Sequence, residues 1–133
     1  MQYLHTLIRV TDPDATIAFF ALLGLKEVRR LENEAGRFTL IFLACPDDMN
    51  APGERANAEV ELTYNWDRAQ PYEVGSGFGH LAVGMPDVYG ACERMRGQGV
   101  TITREPGPVK FGTTVIAFVE DPDGYKVELI QRG

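Results

Sequence analysis

With 133 residues, 44% of them apolar and 24% charged, the chain has the size and composition of one soluble globular domain, or of two small modules sharing a core. A formal net charge of −6 argues against a surface built for nucleic acid or anionic lipid, since both select basic patches. No apolar run approaches the roughly 20 residues needed to cross a bilayer.

The chain starts directly on strand-like sequence without a basic-plus-apolar leader, so a cytoplasmic protein is expected. Cys45 and Cys92 lack metal-type spacing and are expected as free, reduced thiols. The first strand is predicted from about Gln2 to Val10, with Tyr3, His5, Leu7 and Arg9 on one face and Leu4, Thr6, Ile8 and Val10 on the other. Asp12-Pro13 reads as an N-cap followed by proline in the first turn of a helix. That helix carries Ile17, Phe20 and Ala21 on one side and stops at Gly24. Leu25 to Leu31 and Arg37 to Ala44 form a hairpin around Asn33-Glu34-Ala35-Gly36. Cys45 to Asn57, rich in Pro, Asp, Asn and Gly, is a surface loop, and Ala58 to Tyr64 is a fourth strand with Glu61 and Thr63 on one face.

The same order then recurs. A strand from Gly79 to Gly84 precedes a helix beginning near Asp87, with Val88, Cys92 and Met95 along one face and a stop before Gly99. Strands Val100 to Arg104 and Thr113 to Val119 are joined by the loop Glu105 to Gly112. A turn at Asp121-Pro122-Asp123-Gly124 leads into the strand Tyr125 to Gln131. The predicted fold class is α+β: two βαβββ modules, 1–65 and 79–133, with 66–78 as connector. One such module cannot cover both faces of its sheet, so modules are expected to pair, within a chain or between two chains.

The repeat is visible residue by residue. The only two histidines, His5 and His80, stand 75 positions apart, and Asp12, Gly24, Thr39, Ile41 and Asp48 map at the same offset onto Asp87, Gly99, Thr114, Ile116 and Asp123. Val60-Glu61-Leu62 then matches Val127-Glu128-Leu129 at an offset of 67, so the first copy carries eight extra residues before its last strand. Taken singly, a histidine at a strand start or a glutamate in mid-strand is an ordinary polar residue. Here both histidines fall at one repeat position, and Glu61 and Glu128 at another. A two-fold relation between modules would bring these four side chains to one point. Two imidazoles and two carboxylates suit a six-coordinate divalent ion such as Ni, Co, Mn or Zn with positions left open, able to polarise a substrate oxygen. Arg9 shares the face of His5 and is a candidate carboxylate clamp. Asn65 is a candidate amide contact. The 107–112 loop is a candidate lid, with Lys110 meeting an acidic substrate.

Four segments together resemble the bacterial glyoxalase I (lactoylglutathione lyase) family of the vicinal oxygen chelate superfamily. They are Leu4 to Val10, Glu61 to Trp66, Gly79 to Ala82 and Phe118 to Ile130. The resemblance implies metal ligation by His5, Glu61, His80 and Glu128, with Glu128 as catalytic base. It implies glutathione contacts at Arg9 and Asn65. It also implies a homodimer whose modules pair across chains into open, barrel-like metal sites, each taking His5 and Glu61 from one chain and His80 and Glu128 from the other. The short chain is similar to the nickel- or cobalt-activated class more than to the zinc-using one. Eukaryotic members have an arginine where this chain has Ser76, which transfers carboxylate binding on that side to Lys110 or Arg104. The implied reaction isomerises the hemithioacetal of methylglyoxal and glutathione to S-D-lactoylglutathione through an enediolate, a detoxification. The rival readings are an extradiol dioxygenase, an acyl-CoA epimerase, or a metal-free drug-binding resistance module.

Overall fold

A computed structural model describes residues 1–52 and 54–133. Gly53, within the loop predicted over Cys45 to Asn57, lies outside the described residues. The chain divides into two compact units, Met1–Tyr72 and Glu73–Gly133. The first contains β1 (His5–Val10), α1 (Pro13–Leu22), β2 (Lys26–Asn33), β3 (Phe38–Ala44), a single 3-10 turn at Pro46–Asp48, and β4 (Glu59–Asn65). The second contains β5 (Leu81–Met85), α2 (Val88–Gly97), β6 (Thr101–Pro108), β7 (Val115–Glu120) and β8 (Lys126–Gln131). Each unit forms a four-stranded mixed sheet, ordered β1-β4-β3-β2 in one and β5-β8-β7-β6 in the other. The outer pairs β1–β4 and β5–β8 are parallel, and all other pairs are antiparallel. The α+β class and the βαβββ order are those expected from the sequence.

The local signals act as physical chemistry requires. Asp12 Oδ1 accepts from the Ala15 N–H at 3.3 Å, and Asp87 Oδ1 accepts from the Gly90 N–H at 3.0 Å, so each helix start is capped by its own aspartate. After the helices the chain turns through Gly24 at φ 89° and Gly99 at φ 80°, a left-handed geometry that a Cβ would penalise. In the second unit Val88, Ala91, Cys92 and Met95 of α2 are buried with Ala117, Val119, Val127 and Leu129. In the first unit the core gathers Ile8, Val10, Ile41, Leu43 and Leu62. The buried face of α1 departs from expectation: Thr16, Phe19 and Phe20 are buried, and Ala21 is exposed. The helix is apolar around much of its circumference, so periodicity alone leaves its inward face undetermined.

Two further corrections share one cause. The repeat offset does not hold at 75 through the third strands. Glu61 pairs with Phe42, and Glu128 pairs with Phe118, so β3 and β7 correspond 76 positions apart. Ile41 therefore matches the buried Ala117, not Ile116. The extra residue is taken up in β6, whose register shifts twice, at Ile102/Arg104 and again at Arg104/Gly107; β2 shifts once, at Glu27/Arg29. The second irregularity also lets β6 run on to Pro108, so residues predicted as the start of a loop are strand. Two prolines fit there because β6 is an edge strand, whose outer N–H positions need no partner.

Candidate metal centre

In the first unit, His5 opens β1 beside Glu59 of β4 in the parallel register, and Leu7 sits beside Glu61. Alternation places Glu59, Glu61 and Thr63 on the face of β4 opposite the buried Leu62. The His5 Nε2 lies 3.7 Å from Glu61 Oε1. The Thr63 hydroxyl donates to Glu61 Oε2 at 3.3 Å. The Phe42 ring stands edge-on to the His5 ring, centroids 5.6 Å apart at 76°.

The second unit repeats the arrangement. His80, one residue before β5, places Nε2 3.0 Å from Glu128 Oε2. Phe118 meets the His80 ring at 5.2 Å and 74°. The structure thus brings His5 to Glu61 and His80 to Glu128. No group of three or more His, Cys, Asp or Glu side chains gathers at one point among the described residues. Phe42 and Phe118, which wall both pairs, escaped the sequence reading because the 75-residue offset set them out of step.

The donor set fits a divalent cation. Each pair joins a borderline imidazole nitrogen to a hard carboxylate oxygen, the mixture that suits first-row ions. The His5 Nδ1 is buried without a hydrogen-bond partner, and its Nε2 is outside hydrogen-bonding reach of Glu61. A half-buried imidazole with its Nδ1 left this way has coordination capacity to spare. Glu61 is mostly buried and Glu128 less so, with side-chain exposures of 7% and 16%.

Other candidates fall at different places. Arg9 and Asn65 line one open depression of about 640 Å³ together with Arg68 and Tyr72. The Asn65 amide donates to the Tyr72 hydroxyl at 3.0 Å, and Arg68 lies over the Tyr72 ring at 4.0 Å. Lys110 is exposed between β6 and β7, its ammonium 5.1 Å from the Phe111 ring centroid. Ser76 sits exposed in a turn. Arg104 is committed elsewhere: its guanidinium donates to the carbonyls of Glu105, Gly107, Pro108 and Ile116 at 2.9 to 3.3 Å. These carbonyls lie along the irregular β6 and, at Ile116, on the facing β7, and holding them removes Arg104 as a replacement for the missing arginine. Both cysteines are free; burial pushes the Cys92 and Cys45 thiols up from their ordinary range.

Two buried carboxylates outside these pairs were not anticipated. Glu59 has a fully buried side chain held by Arg29 at 2.5 and 3.0 Å and by Arg55 at 3.5 Å. The Arg29 hydrogen bonds keep its carboxyl below the ordinary range against the opposing pull of desolvation. Asp121 starts the turn before β8; its Oδ1 accepts from the N–H groups of Asp123 and Tyr125 at 3.0 and 2.9 Å. Its Oδ2 is buried without a partner, and burial pushes this carboxyl up to about 6.

Two βαβββ units, each with a His–Glu pair against an aromatic edge, define a duplicated-module protein with one nitrogen–oxygen donor pair per module. The chain belongs to the Glyoxalase/Bleomycin resistance protein/Dioxygenase superfamily, whose family model matches residues 2–129. It is 52% identical over 133 residues to a lactoylglutathione lyase of Haemophilus influenzae, covering 99% of this chain and 93% of the relative. It also resembles the crystal structure of glyoxalase I from Zea mays, with a TM-score of 0.87 and 44% identity over 99% of this chain. The match spans 45% of the maize chain. The trypanothione-dependent glyoxalase I of Leishmania major superposes with a TM-score of 0.80 at 36% identity, covering 98% of this chain and 86% of that one.

Proposed function

We propose that this protein is a lactoylglutathione lyase that converts the hemithioacetal of methylglyoxal and glutathione into S-D-lactoylglutathione, with one divalent ion per site held by His5, Glu61, His80 and Glu128. The carrying observation is the His–Glu pair built twice, at matching register positions, in a chain 52% identical to a relative of that name. Each pair is two donors short of a four-donor set. A homodimer that joins His5 and Glu61 of one chain to His80 and Glu128 of its partner completes it. The maize chain leaves room for two lengths of this one, which agrees with paired copies.

The ion would supply charge stabilisation for the enediolate oxygens, with Ni(II) as first choice and Co(II) and Zn(II) as comparisons. The proton traffic belongs to Glu128. Its carboxylate takes the proton from C1, the hemithioacetal carbon, and returns it to C2, while the hydroxyl proton passes from the C1 oxygen to the C2 oxygen. Glu128 suits that role better than Glu61 for a local reason. The Thr63 hydroxyl occupies Glu61 with a hydrogen bond, whereas the matching neighbour of Glu128 is Ile130, which has no donor, and Glu128 is the more exposed of the two carboxylates. Arg9 and Asn65, sharing one depression, bind the glutathione part, and Lys110 meets its carboxylate from the loop after β6. A cytoplasmic location places the enzyme with its thiol substrate.

The test is to strip the protein with chelator, add Ni, Co, Zn or Mg singly, and follow thioester absorbance from methylglyoxal plus glutathione. Activity restored by a first-row ion is expected. Absence of thioester formation with every ion overturns the reading, and full turnover by metal-loaded Glu128→Gln overturns the role of Glu128. Trypanothione in place of glutathione is the comparison suggested by the Leishmania neighbour.

A further inference from the structure

The first half-site holds one carboxylate more than its donor set uses. Glu59 is the direct cross-strand neighbour of His5, on a parallel pair whose strands lie about 4.8 Å apart. It shares a face with Glu61 two residues on. Its side chain is wholly buried, and an unpaired carboxylate so placed is an attractive oxygen ligand for any cation that His5 and Glu61 hold. The second unit has no counterpart: two residues before Glu128 stands the exposed Lys126.

Arg29 holds both oxygens of Glu59 in the ion pair seen here. It reaches across β3 from its register partner Phe42, lies over that ring at 3.8 Å, and grips both Glu59 oxygens, with Arg55 behind. Arg104 pairs with Phe118 in the same register position of the second unit, but it is spent on backbone carbonyls. Of these two matching arginines, the one aimed at a carboxylate is the one beside the surplus carboxylate. Stability alone explains it poorly, because a buried ion pair gains little over well-packed apolar groups of the same size.

We propose that Arg29 is a positioning residue that withholds the Glu59 carboxylate from the divalent ion, so that this half-site gives one carboxylate and leaves a coordination position for substrate. The inference rests on His5 and Glu61 being ligands. Releasing Glu59 adds a third oxygen donor: the ion binds more tightly, and substrate has less room. A merely structural role for Arg29 predicts the opposite, since loosening Phe42 and His5 weakens binding.

The test uses the intact protein stripped of metal, as wild type, Arg29→Met, Glu59→Gln and the double variant. Each is titrated with Co(II), read by visible absorption and by competition with a chromophoric chelator, and kcat and KM are measured after loading. The expected result is Co(II) affinity raised about 10-fold or more in Arg29→Met, with kcat lowered. The affinity returns to the wild-type value in Arg29→Met/Glu59→Gln. Arg29→Lys, which keeps the charge but loses the two-pronged grip, shows the same direction at smaller size and serves if the methionine variant fails to fold. Equal or weaker binding in the Arg29 variants overturns the proposal, as does tight binding that survives removal of Glu59. Wild-type protein that binds no Co(II) overturns the metal reading and this inference with it, an outcome distinct from wild-type binding with unaltered variants.

Discussion

The two units build the same His–Glu–Phe corner on different supports. In the first, Glu61 is hydrogen-bonded by Thr63, and the corner backs onto the Arg29–Glu59 pair. In the second, Glu128 has Ile130 where Thr63 would be, and the arginine in the Arg29 position seals a strand irregularity. The first corner is braced by ionic and hydroxyl groups. The second leaves its carboxylate without a hydroxyl neighbour at that position and sets it 3.0 Å from the His80 Nε2. Duplication therefore supplied equivalent His–Glu pairs, while divergence set different neighbours around the two carboxylates.

The strongest test of this contrast exchanges the two carboxylates. Glu128→Gln should lower kcat of the metal-loaded protein by about 10³-fold, the size of a lost general base, while Glu61→Gln acts mainly on metal affinity. Steady-state rates at saturating metal measure this, and equal losses in the two variants would erase the asymmetry. Next in size, Phe42→Ala removes a 7% exposed ring wedged between His5 and Arg29, and should cost about 3 kcal/mol in urea unfolding. Phe118→Ala, at the less buried counterpart, should cost less.

The turn before β8 gives a pH signature. The Asp121 carboxyl is raised in the fold to about 6, above its ordinary value of 3.8, so the folded state favours the protonated form. Stability is then relatively higher below the unfolded value, and the penalty grows as pH rises from 3.8 through about 6. Asp121→Asn keeps the Oδ1 acceptor and removes the titration, so the stability of wild type relative to this variant should fall by roughly 2 kcal/mol between pH 3.5 and 7.5. Denaturant midpoints across that range measure it, and a pH-independent difference contradicts it. The smallest effect is expected at Arg104. Arg104→Met strips donors from three carbonyls of the edge strand β6 and one of β7, costing about 1 kcal/mol and speeding amide exchange over residues 104–108.

Much of the architecture was legible because local rules decide it. Asp12 and Asp87 start helices by accepting from their own first turns, and Gly24 and Gly99 stop them by adopting a left-handed backbone. The repeat exposed the His–Glu pairs because each falls on one strand face under simple alternation. The inward face of α1 was hidden, because its apolar residues encircle the axis. The one-residue slip between β3 and β7 was hidden too, because a bulge leaves no mark in a pattern of similar apolar residues. Phe42 and Phe118 disappeared from view with it.

The sequence by itself determined the element order, the duplication and the four candidate ligands, since caps, turn residues and two-residue alternation act over a few neighbouring positions. Only the tertiary structure decided register and the company each of these side chains keeps: Glu59 beside His5, Arg29 across Phe42, Arg104 over its carbonyls. Those relations depend on strands distant in the chain settling one residue this way or that, and a shift of one residue moves every side chain to the other face.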